Sequence, residues 1–136
     1  MSFEVIERNG VRYAEVIRAD ARVEKTRFFS DAGSSFQFGL LANTAGYVEP
    51  AHDHHPIVRQ IADLQQMFVV QRGIVAVDFF SDAGERFDEV VLQVGDAICL
   101  VHGAHSFRVI EDAQCVSVKQ GPFMGDEMDK VSINAK

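Results

Sequence analysis

Apolar and polar residues alternate in short runs along most of the chain, and turn-forming residues punctuate them at nearly even intervals. Phe3–Glu7 and Val11–Arg18 flank Asn9-Gly10, whose two positions tolerate positive φ, so this stretch predicts a β-hairpin. Ala19–Lys25 is charged and weakly periodic and reads as a connector. Thr26–Phe29 predicts a short strand ended by the turn Ser30-Asp31-Ala32-Gly33. Ser34–Asn43 alternates around Phe36, Phe38 and Leu40 and predicts another.

The second half keeps the same rhythm. Arg72-Gly73 ends one apolar run, which predicts a strand over about Leu64–Gln71. Ser81–Glu85 separates Ile74–Phe80 from Phe87–Gln93, Gly95-Asp96 precedes Ala97–Val101, and Glu111-Asp112 separates His105–Ile110 from Gln114–Lys119. Short β-branched and aromatic runs with turns roughly every 8–12 residues predict an antiparallel sandwich or barrel. Beyond Gly121-Pro122 the tail GDEMDKVSINAK is polar and is expected over the barrel surface or its mouth. One stretch competes with this reading: Ile57, Ile61, Leu64 and Phe68 follow helical spacing, with Pro56 placed for a first turn. The apolar run Met67–Val70, leading to a Gly turn, favours a strand there and a loop or short strand over Ile57–Asp63.

Composition narrows the class. The 136 residues suit a single domain, and 47% hydrophobic content with eleven Phe and no Trp describes a globular chain. A net charge of −7 argues against nucleic acid or an anionic membrane as the main partner. No span approaches the ~20 apolar residues that cross a bilayer, and MSFEVIERNG lacks the basic-then-apolar design of a signal peptide, so a cytoplasmic location is expected. Cys99 and Cys115 both lie in apolar runs, and two buried, reduced thiols are expected.

The candidate chemistry is concentrated in histidines. His52, His54 and His55 fall within four positions, the amide pair Gln65-Gln66 follows, and His102 and His105 appear where a later apolar run ends. In a strand, residues i and i+2 share a face, so His52 and His54 can present imidazoles to one point, and a closed barrel can bring His105 to meet them around one metal ion. On that parity His55 points away. His102 reads as a rim residue, and Phe107, Val109, Phe68 and Val70 as core or pocket wall. Tyr47, Arg59, Arg108 and Lys119 are candidates for polar contacts near the mouth; Glu49, Asp53 and Asp63 are the nearest carboxylates in sequence.

Gly46, five residues, His52, one residue and His54, then Gln66, six residues and Gly73, resembles the first cupin motif. Gly95-Asp96, an apolar run and Gly103-Ala104-His105 resembles the second. Over residues 36–124 the chain is similar to small single-domain cupin metalloproteins, some associated with bacterial surface-polysaccharide gene clusters. The resemblance implies an antiparallel double-stranded β-helix, or jelly-roll barrel, over 36–124. Residues 1–30 would form a hairpin extension and 125–136 a tail. It also implies one divalent metal ion held by His52, His54, Gln66 and His105. Gln66 stands where the motif carries a glutamate, and Val101 where it carries a proline before the third histidine. The gap from His54 to Gln66 is longer than the motif's, and one residue is missing between Gly103 and His105. Gln66 therefore stands either as a direct ligand or as a hydrogen-bonding neighbour of one. Imidazole suits zinc, iron, nickel and copper, and manganese stays open, so the ligand set does not choose the metal.

Two function classes follow. One is a small metalloenzyme of oxygenase or Lewis-acid isomerase type acting on a small anionic or hydroxylated substrate. The other is a non-catalytic binding or sensing protein that uses the metal to anchor a small, sugar-like ligand. A homodimer is expected in either case, the Phe3–Arg18 hairpin extending a sheet or crossing to the partner.

Overall fold

The pattern of alternation becomes an all-β architecture built on one curled antiparallel sheet. The structure is a computed structural model that describes residues 2–136. Strands β1 (Phe3–Arg8) and β2 (Val11–Ile17) form the expected hairpin, with Asn9 at φ 52° and Gly10 at φ 76° in its turn. β2 pairs with β7 (Ala97–Leu100), which pairs with the first part of the long β5 (Gln66–Phe80). The second part of β5 pairs on the same side with β6 (Arg86–Leu92). Along its other side β5 carries β8 (Ala104–Lys119) for almost its whole length. β3 (Arg27–Phe28) and β4 (Gly39–Leu40) make a separate two-residue ladder.

Parity sorts the side chains onto two faces. The concave face buries Ile6, Ala14, Val16, Phe68, Val70, Val75, Val77, Phe79, Leu92 and Ile98, and Tyr13, the extra residue of the β1–β2 bulge, joins them. The convex face packs Ile17, Cys99, Met67 and Ala97 beneath Phe29, Phe36 and Phe38 from the segment that spans β3 and β4. No disulfide forms: Cys99 is buried, its thiol pushed up to about 12 by burial, with the Glu15 charge adding to it, whereas Cys115 is only half-buried.

Three local expectations change. Arg72-Gly73 does not end a strand, and Glu111-Asp112 does not separate two. β5 and β8 both run through these points, and the ladder absorbs them as register shifts between Val70 and Val75. Gly73, at φ 78°, lies against the Asp112 carbonyl, a place no side chain can occupy. Ser34–Asn43 yields only the two residues of β4, because Phe36 and Phe38 are used to cover the convex face.

Residues 41–65 contain neither helix nor strand, and Val48, Ile57, Val58, Ile61 and Leu64 all stay exposed. The free edge of β8 faces solvent as well, with Phe107 and Val109 47% and 55% exposed on the concave side. The sheet is therefore a half-barrel, open along β8. The tail returns across the molecule through the short helical turn α1 (Asp126–Asp129), and the backbone N–H of Lys136 donates to the Gly84 carbonyl at 2.6 Å.

Candidate functional site

Gln66 opens β5 and His105 lies near the start of β8, so the two approach the concave face from strands that run in opposite directions. Both line one pocket of about 320 Å³ with Phe68, Val77, Leu100, Phe107, Cys115, Ser117 and Lys130. Its apolar wall is set by packing: Phe68 and Phe107 meet edge to face with ring centroids 5.4 Å apart. Its polar side is set by short contacts, with the Gln66 amide donating to the Ser117 hydroxyl at 3.0 Å.

His105 keeps solvent contact as a residue, yet its ring is crowded by the pocket. Burial pushes its pKa below the ordinary histidine value, a hydrogen bond with the Gly103 backbone opposes that, and the Lys130 charge adds to the lowering. The imidazole is thus biased toward its neutral form, the form that ligates metals or accepts a proton.

The neighbouring glutamine has another task. Gln65 is buried, and its side-chain oxygen accepts from the Ser34 hydroxyl (3.2 Å) and the Phe36 N–H (3.0 Å). Its own backbone N–H donates to the Gln120 side chain at 2.7 Å. Gln65 ties the strand to the convex-face segment, and Gln66 is the member of the pair that lines the pocket.

His52 and His54 lie in the irregular stretch, not on a strand. Their rings still meet edge to face, 5.3 Å apart, with His52 Nε2 3.9 Å from Glu49 Oε1. In this conformation they do not reach the pocket, and among the described residues no group of three or more His, Cys, Asp and Glu converges as a metal cage. His55 is exposed in the same stretch. His102 packs edge to face on Tyr13 at 5.6 Å, beside a different hollow at the β1–β2 turn.

The other candidates divide similarly. Arg108 faces the convex side and binds Asp78 there with hydrogen bonds of 2.6 and 3.0 Å. Lys119 pairs with Asp129 at 3.8 Å. Tyr47 and Arg59 are exposed in the 41–65 stretch. Asp53 accepts from the neighbouring His54 N–H, and Asp63 from Gln65, so neither carboxylate is at the pocket.

Sequence reasoning missed Ser117, Cys115 and Lys130. Ser117 was within reach, because it pairs with Phe68 in the ladder and parity places it beside Gln66. Nothing in the tail signals Lys130, which reaches the pocket only because the chain folds back.

A larger hollow of about 720 Å³ lies on the convex side, walled by Phe28, Phe36, Phe38, Leu40 and Met67. Arg18 at its edge is already engaged by Glu4 and Asp96, so it offers mainly apolar contact. The concave pocket is smaller but holds the groups that can do chemistry. Compared with family models, with curated proteins and with solved structures, the chain matches none.

Proposed function

We propose that the concave pocket is the functional site of a metal-binding barrel of cupin type, and that the protein is a small metalloenzyme acting on a small anionic or hydroxylated substrate. The observation that carries this reading is the meeting of Gln66 and His105, distant in sequence, in one pocket. In the proposed working state the 41–65 stretch closes on the β8 edge and adds His52 and His54 to the pair. Two exposed surfaces favour closure. The stretch leaves seven large hydrophobic residues in solvent, Leu41 and Tyr47 among them, and β8 leaves an unpaired edge with Phe107 and Val109 uncovered. Structureless loops longer than about 12–15 residues are uncommon in compact domains unless they serve a site.

A divalent ion held by these residues supplies Lewis acidity, or oxygenation chemistry if it is redox-active. Gln66 brings no negative charge to it, which favours an anionic partner. The buried walls Phe68 and Leu100 keep water from one side of the site, and Phe107 joins them once the stretch closes. The runner-up reading, a non-catalytic ligand-binding protein, is favoured by one fact: no carboxylate is among the residues that line the pocket and could serve as a base.

The test is metal content and melting temperature for the wild type and for His52→Ala, His54→Ala, His55→Ala and His105→Ala. Loss of metal in all but His55→Ala is expected. A ligand bound only to the folded state at 100 times its dissociation constant adds about 2.7 kcal/mol, so the melting point should fall with the metal. Full metal retention in His105→Ala alongside loss in His52→Ala would separate the two clusters and end the single-site reading. Turnover screening of the metal-loaded protein then divides enzyme from binder.

A further inference from the structure

Lys130 holds no metal and serves no step of the proposed function. Lys130 is the one permanently charged side chain among the residues that line the concave pocket, and the other polar groups there are an amide, a hydroxyl, an imidazole and a thiol. The chain carries 20 acidic residues against 13 basic ones, yet none of the acidic residues lines this pocket. The apolar part of the lining is Phe68, Val77, Leu100 and Phe107. The pocket therefore has a cationic mouth, a donor-bearing side and an apolar wall.

The tail is fastened so as to put the ammonium there. Asp129, beside it in sequence, pairs with Lys119 at the end of β8 at 3.8 Å. Six residues after Lys130 the backbone N–H of Lys136 donates to the Gly84 carbonyl at the β5–β6 turn. Lys130 itself has one ionic partner, Asp126, at 3.5 Å. That pair is 69% and 70% exposed, so water screens it and a ligand can displace it at little cost.

From this arrangement we infer that Lys130 is the anion-recognising residue of the concave pocket, and that the pocket takes a small monocarboxylate with an apolar, ring-sized body. The carboxylate meets the Lys130 ammonium at the mouth, and the body packs against the wall that Phe68 and Phe107 form together. The ligand displaces Asp126 from Lys130 and leaves Asp129 on Lys119. This deepens the proposed function and rests on its choice of pocket, but it does not depend on the metal.

Benzoate and its neutral isostere benzamide are the probes, titrated into the full-length chain by two-dimensional NMR, both as purified and after chelation. Benzoate is expected to shift the resonances of Phe68, Phe107 and Lys130 and to bind at least about fivefold more tightly than benzamide in both samples. Lys130→Met should weaken benzoate about tenfold and leave benzamide unchanged, and Lys130→Arg should restore most of the loss. Asp126→Asn, which frees the ammonium, should tighten benzoate about two- to threefold. Equal affinity for the two probes, no binding of either, shifts confined to other regions, or an unchanged benzoate affinity in Lys130→Met each overturn the inference. Lys130 is exposed, so its variants are expected to fold. Metal content measured on the same samples keeps the outcomes apart. Intact metal binding with no anion preference ends this inference alone, whereas loss of the metal site with the preference retained ends only the metal reading.

Discussion

Asp78 shows how a single residue can contradict its chemistry and still be explained by its neighbours. It is a carboxylate only 4% exposed, on the convex face between Ala76 and Phe80. Arg108 satisfies it with two hydrogen bonds, and Arg86 (3.2 Å) and Ser106 (3.4 Å) complete the shell, while Glu89 shares both arginines. The Arg108 hydrogen bonds, reinforced by the charges of Arg108 and Arg86, hold its pKa below the ordinary carboxylate value. A depressed carboxylate contributes stability that is complete above the unfolded pKa, about 3.9, and is lost as the pH falls through the folded value. Because both arginines are half-exposed, the effect is discounted for solvent: Asp78→Asn should cost about 1–2 kcal/mol at pH 7. Urea unfolding of both proteins should show that gap narrowing below about pH 4. A gap that is flat with pH would mean that the charge at Asp78 is not what stabilises the site.

At the scale of elements, the sheet depends on where its ladder breaks. β5 and β8 stay paired past Gly73 because one extra residue on β5 and two on β8 are absorbed as bulges, and the bulged region bends the pair so that the sheet curls. Gly73 is required there twice over, by its positive φ and by the Asp112 carbonyl pressed against it. Gly73→Ala should destabilise by at least about 2 kcal/mol and lower the melting temperature by roughly 8 °C. Gly33→Ala is the control: no atom lies within 4 Å of the added Cβ, and its effect should stay within about 0.5 kcal/mol. Equal melting temperatures for the two variants would show that the bulge is not strained by a side chain.

For the molecule as a whole, the open question is what covers the strand edges. The N-terminal hairpin extends the chain's own sheet through β2 and β7, which leaves β1, the shorter β6 and β8 each with an unpaired outer side. Long unpaired edges invite pairing with another chain. Closure by residues 41–65 accounts for β8 in the proposed working state, and the homodimer expected from the sequence would cover β1. Light scattering at micromolar concentration should therefore give about twice the 15.1 kDa chain mass. A mass equal to one chain would leave β1 as a solvent-tolerant edge and overturn the expected dimer.

The strands themselves were legible in the sequence wherever alternation and a turn signal coincided: the Asn9-Gly10 hairpin, the Ser81–Glu85 turn and the short β7 after Gly95-Asp96 all lie where the pattern places them. Local chemistry decides these, because a turn residue with positive φ and a two-residue period need no distant partner. The bulge at Gly73 was not legible. A glycine at positive φ reads the same whether it ends a strand or kinks one, and only the ladder with β8 distinguishes them. The convex-face role of Phe36 and Phe38, the split between Gln65 and Gln66, and the placing of Arg108 on Asp78 likewise depend on which face packs against what. His52 and His54 could be nominated from spacing, but spacing holds no information about where a loop rests. Lys130 could not be nominated at all, since its place beside His105 comes from ties at Lys119 and Gly84 that lie far from it in the chain. The periodic backbone of the half-barrel was thus written locally. The contents of its pocket were decided by contacts between residues that the chain brings together only when it folds.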